Sequence, residues 1–108
     1  MKWLSRTLAA ALLAIVLVLP GAPAWADFAA GRAAYEQGDF RTAREHWIAL
    51  VEAGDATAQA ALGSLYIHGE GVPTDYQEAL KWTRMAAEQG DITGQFNLGS
   101  IYAGGLGV

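Results

Sequence analysis

Few residues in this chain have the types and spacing that chemistry requires. His68 stands two residues before Glu70, a spacing that could begin a metal site. A structural or catalytic zinc needs about three or four ligands, however, and the chain offers no cysteine and no second histidine cluster. We therefore predict that His68 is a polar residue at a helix end, and we predict no metal and no cofactor.

A second candidate is a serine–histidine pair. Ser64 and Ser100 follow Leu-Gly at matching positions, and His68 lies one helical turn after Ser64. A nucleophilic serine also needs an oxyanion pocket and a group that orients its base. No third group is evident, and Gly104 stands where the second copy would need its histidine. We predict small polar residues on a groove wall and no catalytic residue.

The segment Gly69–Val72 has the glycine content of a phosphate-binding loop. Phosphate loops follow a strand and carry a lysine or open a helix, whereas this segment joins two predicted helices and carries Glu70. We predict a compact turn in which the glycines adopt positive φ and Val72 fills the space between helices.

Other residues with chemical potential have structural explanations. Asp75 and Glu78 fall in a first helical turn, where carboxylates are favoured by the helix dipole, and we see no acid–base pair. Four aromatic residues on predicted helix faces are expected to pack in the core and to hold no cofactor. They are Trp47, Tyr66, Trp82 and Tyr102.

The elements that must position these residues repeat along the chain. Residues 54–72 read GDATAQAALGSLYIHGEGV and residues 90–108 read GDITGQFNLGSIYAGGLGV, and eleven of the nineteen positions are identical. Self-similarity with a period of about 20–50 residues is typical of stacked-repeat architectures. The 36-residue spacing therefore predicts an array of similar units.

Glycine and aspartate mark the limits of the predicted helices. In Gly38-Asp39, Gly54-Asp55 and Gly90-Asp91, the glycine suits a helix end and the aspartate suits a helix start. Thr74 with Gln77 resembles a capping box for a further helix. The periodicity predicts five helices and no strand. The helices are expected at about 28–37, 40–53, 56–68, 75–89 and 92–103.

The stretch 58–90, AQAALGSLYIHGEGVPTDYQEALKWTRMAAEQG, contains a chain of motifs in order. These are Ala-Gln, Leu-Gly-x-x-Tyr, Gly-x-Gly-Val, Ala-x-x-Trp and Ala-Ala-x-x-Gly. On these motifs the chain resembles the Sel1-like repeat, a subclass of the tetratricopeptide-like helical solenoids. The resemblance implies an all-α fold: an α-α superhelix or solenoid of helix hairpins after an N-terminal signal helix.

The resemblance divides residues 27–108 into three units. Residues 27–54 form a degenerate leading repeat without the Gly-x-Gly-Val insertion, residues 55–90 a full repeat and residues 91–108 an incomplete one. About three units are normally needed for a stable array. We therefore expect the chain to be a fragment of a longer array or to have a frayed C-terminus.

Residues 1–26 have the features of a secretory signal peptide. Lys2 and Arg6 give a positive start, Leu8–Leu19 is a run of twelve apolar residues, and Ala24-Trp25-Ala26 is a small-x-small cleavage site before Asp27. The run is short for a bilayer, which needs roughly 20 apolar residues. We expect cleavage after Ala26 and a periplasmic or secreted product. An uncleaved membrane anchor is the alternative.

Charge and cysteine content limit the classes of partner and activity that this chain can have. Residues 27–108 carry five Lys or Arg against eleven Asp or Glu, a net charge of −6, which argues against nucleic acid and anionic membranes as partners. Some exported relatives of the family are associated with β-lactam binding and hydrolysis, but they belong to a cysteine-rich branch and this chain has no cysteine. We therefore predict a non-catalytic scaffold for a protein or peptide, with a β-lactam-binding or hydrolysing enzyme as the disfavoured alternative.

The resemblance also implies where such a partner would bind. In tetratricopeptide-like arrays the first helices of successive units line a concave groove, which suits an extended or helical peptide. Position along the units assigns to this groove a set of residues outside the core stripes. They are Phe28, Arg32, Tyr35, Thr57, Ala60, Ser64, Ile67, His68, Thr93, Phe96, Ser100 and Ala103.

Overall fold

The computed structural model describes residues 24–108, with side chains from Asp27 onward. The predicted signal peptide lies outside the described residues, apart from the backbone of its last three. Helices are the only regular secondary structure in the described part of the chain, which confirms the predicted all-α solenoid. Its helices are α1 (Ala24–Glu36), α2 (Phe40–Val51), α3 (Ala56–His68), α4 (Tyr76–Glu88) and α5 (Ile92–Ala103).

Five helix bounds differ from the prediction, and the two that differ by more than one residue have identifiable reasons. Helix α1 begins at Ala24, four residues before the expected start, so it includes the predicted cleavage site. The alanine-rich sequence favours a helix there, and Asp27 in the first turn favours the helix dipole. Helix α2 ends at Val51 because the amides of Ala53 and Gly54 bond to carbonyls three residues back, which tightens the last turn.

The three Gly-Asp pairs act as the sequence predicts. Their glycines have φ of 78°, 87° and 86°, in the left-handed region that suits a helix end. Each aspartate caps the following helix by accepting a backbone amide. The distances are 3.2 Å from Thr42 to Asp39, 2.9 Å from Ala58 to Asp55 and 2.7 Å from Gly94 to Asp91.

The predicted capping box at the start of α4 is wrong. Asp75 is the N-cap, and its Oδ1 accepts the amides of Gln77 at 3.1 Å and Glu78 at 3.2 Å. Thr74 instead lies against Gly69. Its Oγ1 is 2.5 Å from the position that a Cβ on that glycine would take. The helix therefore starts one residue later than Thr74 would place it.

Each helix packs against its neighbours along the chain, so the core runs through the stack. Trp47 of α2 is 4% exposed and lies in a buried cluster that spans α2 and α3, which confirms its predicted core position. The other buried members of that cluster are Ala43, Leu50, Val51, Ala58, Leu62 and Leu65. A second cluster joins α4 and α5 through Ala79, Leu80 and Ile101. Tyr102 is 47% exposed, so its predicted core position is wrong.

Small residues let successive helices approach closely. A Cβ built on Gly63 of α3 would lie 2.5 Å from Thr83 Oγ1 of α4, and one built on Gly94 of α5 would lie 2.7 Å from the Ala86 Cβ of α4. Gly69 and Gly71 have φ of 67° and 73° as predicted, which turns the chain between α3 and α4. None of the helices in residues 24–108 is long and apolar enough to cross a membrane.

Candidate interaction groove

The first helices of the first two units enclose a hollow of about 250 Å³. Helix α1 contributes Phe28, Arg32 and Tyr35, while α3 contributes Ala61 and Ser64. Trp47 of α2 lies at its base. Four of the residues that the sequence assigns to the groove therefore line one cavity.

A smaller hollow of about 100 Å³ adjoins the first, because Phe28 lines both. Its other walls come from α3 and from the start of α5: Thr57, Ala60, Ala61, Asp91 and Thr93. Ala60 is 1% exposed, so its predicted place outside the core is wrong. It is a buried floor residue because the flanking helices close over its small side chain.

Three aromatic rings fix the shape of the larger hollow. The Phe28 and Trp47 rings stack with centroids 5.6 Å apart, and the Tyr35 and Trp47 rings are 6.0 Å apart. Trp47 Nε1 donates to the Phe28 carbonyl at 3.3 Å. Gly31 leaves room for the indole, since a Cβ there would overlap the ring. A partner would therefore meet a wall that is already ordered, and ordering costs little on binding.

Tyr35 ties helix α1 to the α3–α4 turn. Its hydroxyl donates to Glu70 Oε1 at 2.9 Å and lies 3.1 Å from Oε2. Burial raises the pKa of Tyr35, and the hydrogen bond to Glu70 and that carboxylate's negative charge raise it further. Sequence reasoning missed this role of Glu70. The sequence does contain one indication of it. The second copy of the repeat has Leu106 at the matching position, so the repeat itself does not require a carboxylate there.

The Ser64 hydroxyl forms its hydrogen bonds with groups other than the His68 side chain. Its hydroxyl donates to the Ala60 carbonyl at 3.1 Å and accepts from Asn97 Nδ2 at 2.8 Å. His68 Nδ1 lies 2.9 Å from the Ser64 carbonyl oxygen and 3.8 Å from Glu70 Oε1. This arrangement joins α3 to α5 and does not present an activated nucleophile. Nothing in the repeat pattern predicts this contact of Asn97.

The remaining predicted groove residues line neither hollow. Ile67 is half-buried and packs against the cluster between α4 and α5. His68, Phe96, Ser100 and Ala103 are exposed, the last three along α5. The two hollows therefore occupy the α1–α3 side of the predicted groove and the edge of α5 that faces it.

The charged group of the larger hollow is Arg32, whose side chain is 69% exposed. Its Nε lies 3.3 Å from Glu36 Oε1 in an exposed pair, and such pairs contribute little to stability. An acceptor on a partner could therefore replace Glu36 at small cost. Within residues 24–108, no group of three or more His, Asp or Glu side chains is placed to hold a metal ion.

Two segments of the chain match one family model. Residues 56–91 and 92–108 match the Sel1 repeat, and these matches support a Sel1-like repeat family. The first match spans α3, α4 and the turn between them, and the second spans α5 and the turn after it. Helices α1 and α2 lie outside both matches. A search of curated proteins found no match to the chain.

Proposed function

We propose that this chain, whose residues 56–108 match the Sel1 repeat, is a non-catalytic scaffold that binds a protein through an exposed peptide segment. Sel1 repeats generally serve as protein-interaction scaffolds. The observation that carries the binding mode is the hollow of about 250 Å³ between α1 and α3. It brings together Phe28, Arg32, Tyr35 and Ser64, which the sequence assigns to the groove independently.

The lining of this hollow suits an apolar side chain of the partner. Phe28, Tyr35, Trp47 and Ala61 supply apolar surface, and aromatic residues with an arginine are enriched at interface hot spots. Arg32 stands at the edge, where it can donate to a carbonyl or carboxylate of the same peptide. The bound segment would thus carry an apolar residue close to a hydrogen-bond acceptor.

A charge reversal with a matched control tests the groove. Arg32 and Arg41 each pair with a glutamate four residues later, at 3.3 Å and 3.5 Å, and their side chains are 69% and 88% exposed. Proteins captured from a periplasmic extract by the wild-type chain should be lost with Arg32→Glu and kept with Arg41→Glu. If both variants capture the same proteins as the wild type, the hollow is not the binding site.

Export is the second part of the proposal. The basic start, the apolar run Leu8–Leu19 and the small residues at 24 and 26 support a cleaved secretory signal. The intact mass of the chain recovered from an expressing Gram-negative cell should then correspond to a product that begins at Asp27 and is found in the periplasm. A full-length mass in the membrane fraction would instead identify an uncleaved anchor.

We do not propose the β-lactam hydrolase alternative. The Ser64 hydroxyl is engaged by Ala60 and Asn97, so His68 is not in a position to act as its base. A chromogenic β-lactam assay on the purified chain gives a direct check. Turnover that survives Ser64→Ala would point to contamination, whereas turnover lost with Ser64→Ala would overturn the non-catalytic proposal.

A further inference from the structure

The two hollows form one continuous groove with an opposite charge in each part. Phe28 and Ala61 line both hollows, so the two share an apolar floor. Among the residues that line them, one in each hollow is charged. Arg32 lines the larger hollow and Asp91 lines the smaller one. We call the joined hollows the bipolar groove, because the apolar floor separates a cation from an anion.

In the larger hollow, Arg32 is the lining side chain that keeps donors for a ligand. The hydroxyls of Tyr35 and Ser64 already donate to other groups of the chain, at 2.9 Å and 3.1 Å. The Trp47 indole does the same at 3.3 Å. The guanidinium of Arg32 is exposed, and it can give two parallel N–H donors to one carboxylate. This end of the groove therefore favours a carboxylate of the ligand.

In the smaller hollow, Asp91 offers the opposite chemistry. Its Oδ1 accepts the amide of Gly94 at 2.7 Å, because Asp91 is the N-cap of α5. A carboxylate has about four acceptor sites, so the cap leaves most of them for a ligand. Thr57 and Thr93 line the same hollow, and their hydroxyls can accept hydrogen bonds as well. This end of the groove therefore suits an ammonium or guanidinium group.

Helix α3 sets the spacing between the two ends of the bipolar groove. Thr57 lines the smaller hollow, Ala61 lines both and Ser64 lines the larger one. Ser64 follows Thr57 by seven residues, which span about 10 Å along a helix. An extended peptide advances about 3.3 Å per residue, so about three or four of its residues cover that length. An apolar side chain between its charged ends would then lie over the shared floor.

We propose that the bipolar groove binds an extended peptide segment in which a basic residue and a carboxylate, about three or four residues apart, flank an apolar residue. This inference rests on the proposed function, because it names the chemistry of the peptide that the scaffold would hold. Opposite charges at the two ends fix the register of the peptide and disfavour segments of a single sign. The net charge of −6 on residues 27–108 would also attract the basic end during approach.

Selection of a random phage-displayed peptide library on the immobilised full chain tests the charge pattern. The peptides whose binding is lost with Arg32→Glu and kept with Arg41→Glu should carry the basic, apolar and acidic residues at this spacing, in either chain direction. Peptides that depend on Arg32 but share no basic residue at that spacing would overturn this inference and leave the proposed function standing. If no enriched peptide depends on Arg32, both are overturned.

Two aspartates provide matched variants for the basic end of the peptide. Asp91 and Asp55 hold the same position in successive units and each caps a helix, but Asp55 lines neither hollow. Asparagine caps a helix about as well as aspartate, so Asp91→Asn and Asp55→Asn each remove a charge and keep the cap. Asp91→Asn should raise the Kd of a selected peptide by about two- to fivefold, the range of a partly exposed ion pair, whereas Asp55→Asn should leave it unchanged.

A change in the peptide completes the cycle. When glutamine replaces its basic residue, Asp91→Asn should no longer affect the Kd, because the charge that Asp91 faces has been removed. Helix content by circular dichroism should match the wild type in both aspartate variants. Equal effects of Asp91→Asn and Asp55→Asn on the Kd would overturn the inference. An effect of Asp91→Asn that persists with the glutamine peptide would overturn it as well.

Discussion

Gly63→Ala and Gly99→Ala add the same methyl group at positions 36 residues apart in the repeat, yet we expect effects of opposite sign on stability. At Gly63 the new Cβ would lie 2.5 Å from Thr83 Oγ1 and 3.4 Å from the Ala79 carbonyl. At Gly99 it would meet nothing within 4 Å. The pair therefore separates helix propensity from helix packing.

The magnitudes follow from these two surroundings. Replacing glycine by alanine in a helix interior stabilises by about 0.5–1 kcal/mol, and this gain applies at both positions. At Gly63 the added methyl also overpacks a tight contact, which typically costs about 1–3 kcal/mol. Thr83 is fully buried and β-branched, so it has little freedom to move aside. We expect Gly99→Ala to raise the free energy of unfolding by about 0.5–1 kcal/mol, and Gly63→Ala to lower it by up to about 2.5 kcal/mol.

Urea unfolding followed by circular dichroism measures both effects. Thr83→Ala supplies the control, because removing the hydroxyl and methyl should relieve most of the penalty of Gly63→Ala in a double-mutant cycle. If Gly63→Ala stabilises the chain as much as Gly99→Ala does, the close contact between α3 and α4 is refuted.

Three further predictions address the core, a helix cap and a titrating group. Leu65→Ala should lower the free energy of unfolding by about 2–5 kcal/mol, because Leu65 is fully buried, and a urea midpoint close to wild type would contradict that burial. Asp55→Ala should cost about 0.5–2 kcal/mol through loss of the cap on α3, while Asp55→Asn should cost less. Because the pKa of Tyr35 is raised in the folded chain, its neutral hydroxyl contributes to the free energy of unfolding. That contribution is complete below the unfolded pKa of about 10 and is lost as pH rises through the higher folded value. At alkaline pH the melting temperature should therefore fall less steeply with rising pH for Tyr35→Phe than for wild type. Equal slopes would rule out the raised pKa.

The helix bounds were predicted well because the residues that begin and end each helix act on near neighbours in the sequence. The predicted bounds 56–68 and 92–103 are those of α3 and α5. Each follows an aspartate whose carboxylate accepts an amide three residues on, a contact that sequence spacing alone determines. The start of α4 was misplaced by one residue because Thr74 and Asp75 both suit a cap, and the choice depends on Thr74 packing against Gly69.

Contacts between units were beyond the reach of such rules. Tyr35 and Glu70 lie 35 residues apart, and Asn97 and Ser64 lie 33 apart, so the stacking of units alone brings each pair together. Position in the repeat predicts which helices line the groove, and four of the residues predicted in this way line one hollow. It could not show that Ala60 would be covered, because that depends on the neighbours on both sides of α3.

Burial in this chain is set by neighbours more than by place in the repeat. Gly63 and Gly99 are the same residue in the same motif, yet Gly63 meets Thr83 and Gly99 meets open space. Ala60 and Phe96 differ in a corresponding way, with the small residue buried and the large one 73% exposed. The same glycine therefore has different roles in the two copies of the motif: Gly63 allows a close contact between α3 and α4, whereas position 99 has room for a larger side chain.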